Sequence, residues 1–154
     1  MKLSIMLANR GLSTCLIAQS FLMYYGFDIG RELQLEEDEY VFHVIRIRNA
    51  DLKPMAIERT YIPVKIFPEL DEKKIMGSLY ALIEARSHQK IGNAIQQMEA
   101  AIVSKEDSKY LQISTSQAVL IIKRTSFLTD GVPFELVRST YRADRYKFIS
   151  EIKR

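Results

Sequence analysis

An internal repeat is the strongest constraint on how this chain of 154 residues can fold. The matching pairs share one constant offset: Leu33 with Leu111, Val41 with Val119, and Arg46 with Arg124. After one inserted residue the match continues: Asp51 with Asp130, Pro54 with Pro133, Ile57 with Leu136, and Arg59 with Arg138. The alternative is that any two hairpins with polar turns look alike. A real repeat means that one helix-then-hairpin unit is used twice.

Each copy of the repeat has the pattern of a β-hairpin. Residues 41–48 and 55–61 are rich in β-branched side chains, and the connector between them contains Asn, Asp and Pro. Residues 119–127 and 134–141 repeat this arrangement, with Asp-Gly as a strong turn signal between them. Two such units predict an α+β fold, mainly an antiparallel sheet with helices packed on it and a crevice where the halves meet.

Helical patterning and capping residues predict the remaining elements. Short helices are expected within residues 2–10, as a helical turn followed by a loop over 31–40, over 78–86, and from Ser104 to about Leu111. Ser78 is the expected N-cap of the third, because its side chain can accept a hydrogen bond from a free amide of the first turn. Residues 90–103 fit a helix by propensity and a strand by alternation, so the residues alone leave both open.

Composition and motifs exclude several classes of function. The chain is 47% apolar and 27% charged, as expected for one globular domain, and a single Cys excludes an internal disulfide and favours an intracellular protein. Two His and one Cys offer no zinc spacing, and no glycine-rich phosphate loop is present, so no metal or cofactor is expected. The net charge of +3 is spread along the chain, which disfavours DNA binding by this chain alone.

Polar residues inside apolar strands are the candidate ligand-binding residues. Arg46 and Arg48 are two apart and leave the same face of a strand. A guanidinium keeps its charge, so the pair needs anionic partners. Glu58 on the returning strand can be an internal partner, whereas the functional interpretation is a fork for a phosphate or carboxylate ligand.

Four more residues extend this candidate site. Glu135 and Tyr141 are six apart in the second hairpin, hence on one face, and suit ligand hydroxyls. Ser78 and Tyr80 lie at the start of the helix predicted over 78–86, where free amides favour an anion. Together these groups indicate a small polyhydroxylated anion.

Four segments resemble one known family in the family's order. They are residues 48–63 (RNADLKPMAIERTYIP), 67–70 (FPEL), 77–84 (GSLYALIE) and 130–148 (DGVPFELVRSTYRADRYKF). The family is the UTRA domain, the effector-sensing domain of GntR-type bacterial transcription regulators of the HutC subfamily, which shares its fold with chorismate lyase. One departure is Leu52-Lys53, which replaces the usual glycine-containing turn of the first hairpin.

The resemblance implies a ligand-sensing domain that forms homodimers and acts on DNA only through a winged helix-turn-helix at the N-terminus of a longer parent protein. This chain then looks like the C-terminal part of that regulator. Positions matching Arg46, Arg48, Ser78 and Tyr80 resemble the phosphate-holding set of members that sense sugar phosphates. Positions matching Glu58, Glu135 and Tyr141 resemble the hydroxyl-reading set. The resemblance also favours a strand at about 90–102.

A sugar phosphate is therefore the expected effector, and the protein is not expected to be an enzyme. Two alternatives stay open. One is an enzyme of the chorismate lyase type, because the fold is shared and arginines with a glutamate can serve either purpose. The other is a dimerisation module that binds no ligand.

Overall fold

The computed structural model describes residues 13–22, 27–70, 79–86, 89–149 and 151–152. They form six strands and three helices: β1 (Ser13–Leu22), α1 (Phe27–Glu32), β2 (Val41–Ala50), β3 (Lys53–Pro63), α2 (Leu79–Glu84), β4 (Ile91–Ile102), α3 (Lys105–Leu111), β5 (Ala118–Leu128) and β6 (Pro133–Arg142). Within these residues no helix has the length and hydropathy needed to span a membrane.

The strands form one antiparallel sheet in the order β1-β2-β3-β6-β5-β4. The hairpins β2-β3 and β5-β6 are those that the sequence predicts, and they join through β3 and β6 at the centre of the sheet. The predicted α+β class, a mainly antiparallel sheet with helices packed on it, is confirmed.

The sheet shows the internal repeat as a local two-fold arrangement. The units α1-β2-β3 and α3-β5-β6 have the same order, and β3 pairs with β6 so that Arg59 lies opposite Arg138, its counterpart in the repeat. A further matched pair, Gln34 and Gln112, shares a positive φ, of 51° and 54°, just after the helix of each unit. The repeat is therefore structural, and its axis runs between β3 and β6.

Each repeat helix is held to the sheet by an ion pair with the other unit. On α1, Glu32 accepts a hydrogen bond of 2.7 Å from Lys123 Nζ on β5. Near the start of α3, Asp107 accepts bonds of 2.6 and 3.3 Å from the guanidinium of Arg59 on β3, and one of 3.2 Å from Thr140. The helices thus link the two hairpins as well as covering them.

Apolar clusters lie on both faces of the sheet. Under α3, Ile57 packs with Leu111 and Val119, and near α1 Leu33 packs with Leu136. On the opposite face, the sheet residues Phe42, Val44 and Ile62 belong to one cluster with Phe67 of the 64–70 segment and Ile83 of α2. The helices α1 and α3 therefore cover one face, while α2 covers part of the other.

The structure corrects some predicted elements and confirms others. The strand β1 was not predicted, and the helical turn expected to begin at residue 31 is the end of a helix that begins at Phe27 and ends at Glu32, followed by the expected loop. The strand at Ile91–Ile102 is confirmed against helical propensity, and Ser104 caps α3 by accepting a 3.0 Å bond from the Asp107 amide. The helix predicted within residues 2–10 lies outside the described residues.

Leu52 occupies a backbone conformation that L side chains rarely adopt. The turn of the first hairpin has Asp51 at a φ of 53° and Leu52 at 62°, as a two-residue type I′ turn requires. Leu52 is 92% exposed, so no packing offsets the close approach of its Cβ to the backbone.

We expect Leu52→Gly to stabilise the protein by up to about 1 kcal/mol. The strain energy that is relieved, about 1–2 kcal/mol, exceeds the free-energy cost of the extra conformational freedom that glycine has in the unfolded chain. The midpoint of thermal unfolding should rise by about 2–4 °C, measured by calorimetry. Leu52→Ala is the control, because alanine keeps the Cβ; an equal gain in both variants would contradict this explanation.

Candidate functional site

Strand register places the predicted site residues of both hairpins on one face of the sheet. Arg46, Glu58 and Ser139 lie opposite one another across β2, β3 and β6. The neighbouring row on the same face contains Arg48 and Tyr141, with Ala56 between them. Opposed residues of antiparallel strands point to the same side, so the register brings these side chains together. We call this surface the site face.

Arg48 and Glu58 form a close ion pair on the site face. Arg48 Nε donates to Glu58 Oε2 over 2.6 Å, along the diagonal between neighbouring strands. This is the internal pairing left open by the sequence. The Arg48 side chain nevertheless keeps 37% of its surface exposed, so the pair is accessible to a ligand.

Arg46 is half-buried among charged neighbours. Burial lowers the pKa of Arg46, and so does the nearby Arg48, while Glu58 and Glu135 act in the opposite direction. The guanidinium stays charged at any physiological pH. Two cationic groups on β2 therefore share this part of the sheet with the carboxylate of Glu58 on β3.

Tyr80, Ser126 and Glu135 form a second polar group on the same face. The Tyr80 hydroxyl on α2 lies 3.3 Å from Ser126 Oγ and 3.4 Å from Glu135 Oε2. Ser126 Oγ is also 3.4 Å from that carboxylate oxygen. All three contacts are long for hydrogen bonds between oxygens, so the three side chains are only weakly hydrogen-bonded to one another.

The carboxyl of Glu135 is buried, and its neighbours offset only part of the cost of burying its charge. Burial raises its pKa, and Glu58 adds to the rise, whereas Arg124 and the hydroxyls of Tyr80 and Ser126 lower it. Arg124 Nη2 is 4.0 Å from Glu135 Oε2, beyond hydrogen-bond distance. The carboxyl therefore takes up a proton more readily than an exposed glutamate does.

Tyr141 lies at the end of the site face where the chain leaves β6. Its ring centroid is 4.6 Å from that of Tyr146. Burial raises the pKa of Tyr141, and the nearby Glu58 adds to this effect. The Tyr146 hydroxyl is buried without a hydrogen-bond partner among the described residues, so it remains available to a ligand or a water molecule.

The structure brings together six of the seven predicted site residues. Arg46, Arg48, Glu58, Glu135 and Tyr141 share the site face, and Tyr80 reaches it through Glu135. Ser78, the seventh, lies outside the described residues.

Two residues of the site face were missed from the sequence, Arg124 and Ser126. The internal repeat contained a signal for one of them, because Arg124 is the counterpart of Arg46. Nothing in the local sequence pattern distinguished Ser126, whose contacts with Tyr80 and Glu135 depend on the position of α2.

The face of the sheet opposite the site face contains a stacked aromatic pair and a cleft beside α1. His43 lies there, stacked on Tyr61 with ring centroids 4.5 Å apart, which agrees with the packed structural role that its apolar strand favours. A cleft of about 640 Å³ beside α1 has Lys123 in its wall, but Glu32 already binds that amine. Within the described residues, no group of three or more His, Cys, Asp or Glu could hold a metal ion.

Comparison with known proteins identifies the family. The UTRA domain model matches residues 27–147. The Bacillus subtilis repressor NagR is 37% identical over 114 residues, which are 74% of this chain and 47% of NagR. The Escherichia coli repressor MngR is 33% identical over 118 residues, 77% of this chain and 49% of MngR. This chain belongs to the UTRA domain family, the effector-binding domains of GntR-type transcription regulators.

Solved structures agree with the fold. A GntR-family transcriptional regulator from Enterococcus faecalis superposes with a TM-score of 0.86 at 29% identity, over 91% of this chain and 100% of that one. The effector domain of PhnF from Mycobacterium smegmatis has a TM-score of 0.81 at 24% identity, covering 93% and 89% of the two chains. The chain spans about half the length of the curated relatives it matches.

The raised pKa of Glu135 predicts a specific dependence of stability on pH. A carboxyl with a higher pKa in the folded state binds more protons there than in the unfolded chain, so stability falls as pH rises from the unfolded pKa through the folded one. Between pH 4 and pH 7 the wild type should therefore lose stability relative to Glu135→Gln, which does not titrate. Urea unfolding at both pH values measures this; parallel pH profiles would show that Glu135 contributes nothing.

Proposed function

We propose that this domain binds a small sugar phosphate on the site face, and that binding modulates DNA binding by an N-terminal winged helix-turn-helix of a longer cytoplasmic regulator. The observation that carries the proposal is the position of Arg46 and Arg48 on one face of β2, beside Glu58 of β3. Two guanidinium groups close together in a partly buried place suit a phosphate, because each can donate to its oxygens.

The polar groups farther along the site face support a sugar as the rest of the ligand. Glu135 can accept a hydrogen bond from a ligand hydroxyl, and the phenols of Tyr80 and Tyr141 can both donate and accept hydrogen bonds. The names of two relatives also refer to sugar-derived compounds, mannosyl-D-glycerate for MngR and fructoselysine for an Escherichia coli repressor that is 23% identical. Relatives named as repressors favour a sensing role over an enzymatic one.

Coupling to DNA requires that the effector bind one arrangement of the dimer better than another. An effector that favours an arrangement with the wrong spacing of the DNA-binding domains weakens operator binding. A nearly complete switch needs a difference in binding free energy of about 5.5 kcal/mol between the two states.

A panel of ligands tests the proposal directly. Thermal unfolding of the domain is measured with hexose 6-phosphates, the same sugars without phosphate, organic acids and chorismate. A ligand at 100 times its dissociation constant adds about 2.7 kcal/mol to the free energy of unfolding. Stabilisation by a hexose 6-phosphate and not by its free sugar supports the proposal, whereas stabilisation by organic acids alone, or pyruvate release from chorismate, contradicts it.

Replacing either arginine should weaken the phosphorylated ligand selectively. We expect Arg46→Ala and Arg48→Ala each to cost about 1.5–3 kcal/mol of binding free energy, because a charge-assisted hydrogen bond is lost. Isothermal titration calorimetry measures the loss. Arg138→Ala is the matched control, an exposed arginine on the opposite face of the same sheet. Undiminished affinity in folded Arg46 and Arg48 variants would exclude them as phosphate contacts.

We further propose that the homodimer forms through the edge strand β4. This strand is twelve residues long, and Glu99 is its only charged residue. Natural edge strands are usually protected by lysine, proline or strong twisting, because their free backbone groups pair readily with other strands. Ile95 and Met98 on β4 are 57% and 42% exposed, so apolar surface accompanies the outer edge of the sheet formed by the described residues. Antiparallel pairing of two β4 strands would give a symmetric dimer.

Charged residues on β4 should therefore dissociate the dimer. We expect the double variant Ile95→Lys and Met98→Lys to sediment as a monomer at a concentration where the wild type is a dimer, because each face of the sheet would then carry one lysine from each β4 strand near the two-fold axis. Ile152→Lys is the control, since Ile152 is 80% exposed and lies outside the sheet. A double variant that remains dimeric would place the interface elsewhere.

A further inference from the structure

Arg124 is a cationic residue of the site face to which the sequence assigned no role. It lies on β5 opposite Val137, one row of the sheet away from the pair Ser126 and Glu135. In the internal repeat it is the counterpart of Arg46. The inference below concerns the same site and rests on the proposed function.

The surroundings of Arg124 leave part of its hydrogen-bonding capacity unused. Its Nη2 is 4.0 Å from Glu135 Oε2, and its Nε is buried without a hydrogen-bond partner among the described residues. The side chain as a whole keeps 36% of its surface exposed. A guanidinium carries five N–H donors, and a buried donor without an acceptor costs free energy. A ligand hydroxyl placed beside both groups can therefore bridge them, accepting from Arg124 and donating to Glu135.

The local two-fold axis places Arg46 and Arg124 at opposite ends of the site face. They belong to β2 and β5, the outer strands of the set β2-β3-β6-β5. Three strand spacings separate their backbones, roughly 14 Å. Between them lie the side chains of Glu58 and Ser139. A ligand that contacts both ends must be elongated across the strands.

The two ends differ in charge. One end has the two guanidinium groups of Arg46 and Arg48 beside Glu58, and this pair of arginines suits a phosphate. Arg124 has Glu135 beside it, so the other end presents donors and an acceptor next to each other with little net charge. Neighbouring hydroxyl groups match this second arrangement, because each hydroxyl can accept from a guanidinium and donate to a carboxylate.

We propose that Arg124 is a further ligand-binding residue that, together with Glu135, holds two neighbouring hydroxyls of the effector at the end opposite the phosphate. The effector is then a sugar phosphate whose free vicinal hydroxyls lie away from the phosphate group, as in the pyranose form of a hexose 6-phosphate. Arg124 distinguishes such a ligand from other phosphorylated compounds, while Arg46 and Arg48 contact the phosphate group that all of these compounds share.

Calorimetry with two probes tests this division of roles. The wild type and Arg124→Gln are titrated with the hexose 6-phosphate that stabilises the wild type most, and with inorganic phosphate. We expect the variant to bind the hexose phosphate at least about tenfold more weakly and inorganic phosphate unchanged, because only the first reaches Arg124. Arg138→Gln, on the opposite face, should change neither affinity.

Other results separate the failure of this inference from that of the proposed function. Equal losses for both probes, or no loss for the hexose phosphate, would overturn the role of Arg124 and leave sugar-phosphate binding intact. No binding of any hexose phosphate by the wild type would overturn the proposed function, and the role of Arg124 with it. If Arg124→Gln does not fold, Arg124→Lys replaces it. Lysine keeps the charge without the planar fork, so selective weakening of the hexose phosphate is still expected.

Discussion

The pairing of β3 with β6 is the contact on which the rest of this structure depends. A single two-stranded hairpin is at best marginally stable in water, and this ladder joins two of them into a central four-stranded sheet. Because Arg59 meets Arg138 there, the two repeat units face each other around a local two-fold axis. The ion pairs Glu32–Lys123 and Asp107–Arg59 then cross from each unit to the other and reinforce the same junction.

The site face follows from this junction. The site residues come from both hairpins and from α2, so neither repeat unit alone contains all of them. Polar side chains in the middle of a sheet are tolerated because they form hydrogen bonds and ion pairs with one another, as Arg48 does with Glu58. The compensation is incomplete at Glu135, whose burial raises its pKa. Such imperfect pairing is typical of surfaces that bind ligands, since perturbed groups concentrate there.

Local patterns predicted the parts of the fold whose physics is local. β-branched runs around turn residues identified both hairpins, and Ser104 identified the start of α3 because an N-cap acts within one turn. The strand β1 was missed, since its mixed apolar pattern becomes a strand only through pairing with β2. Propensity left residues 91–102 open for the same reason: strand formation there depends on β5 rather than on the segment itself.

The sequence by itself determined the two hairpins, their repeat and the pairs of polar residues that share a strand face, because alternation within a strand fixes the side on which each side chain leaves. Tertiary structure alone decided which of these faces meet. The register of β3 against β6 aligned Glu58, and with it Arg46 of the same hairpin, with Ser139, and the position of α2 brought Tyr80 to Glu135. The place of Arg124 beside Glu135 also required the folded sheet, since distances between strands are set by long-range pairing and not by local sequence.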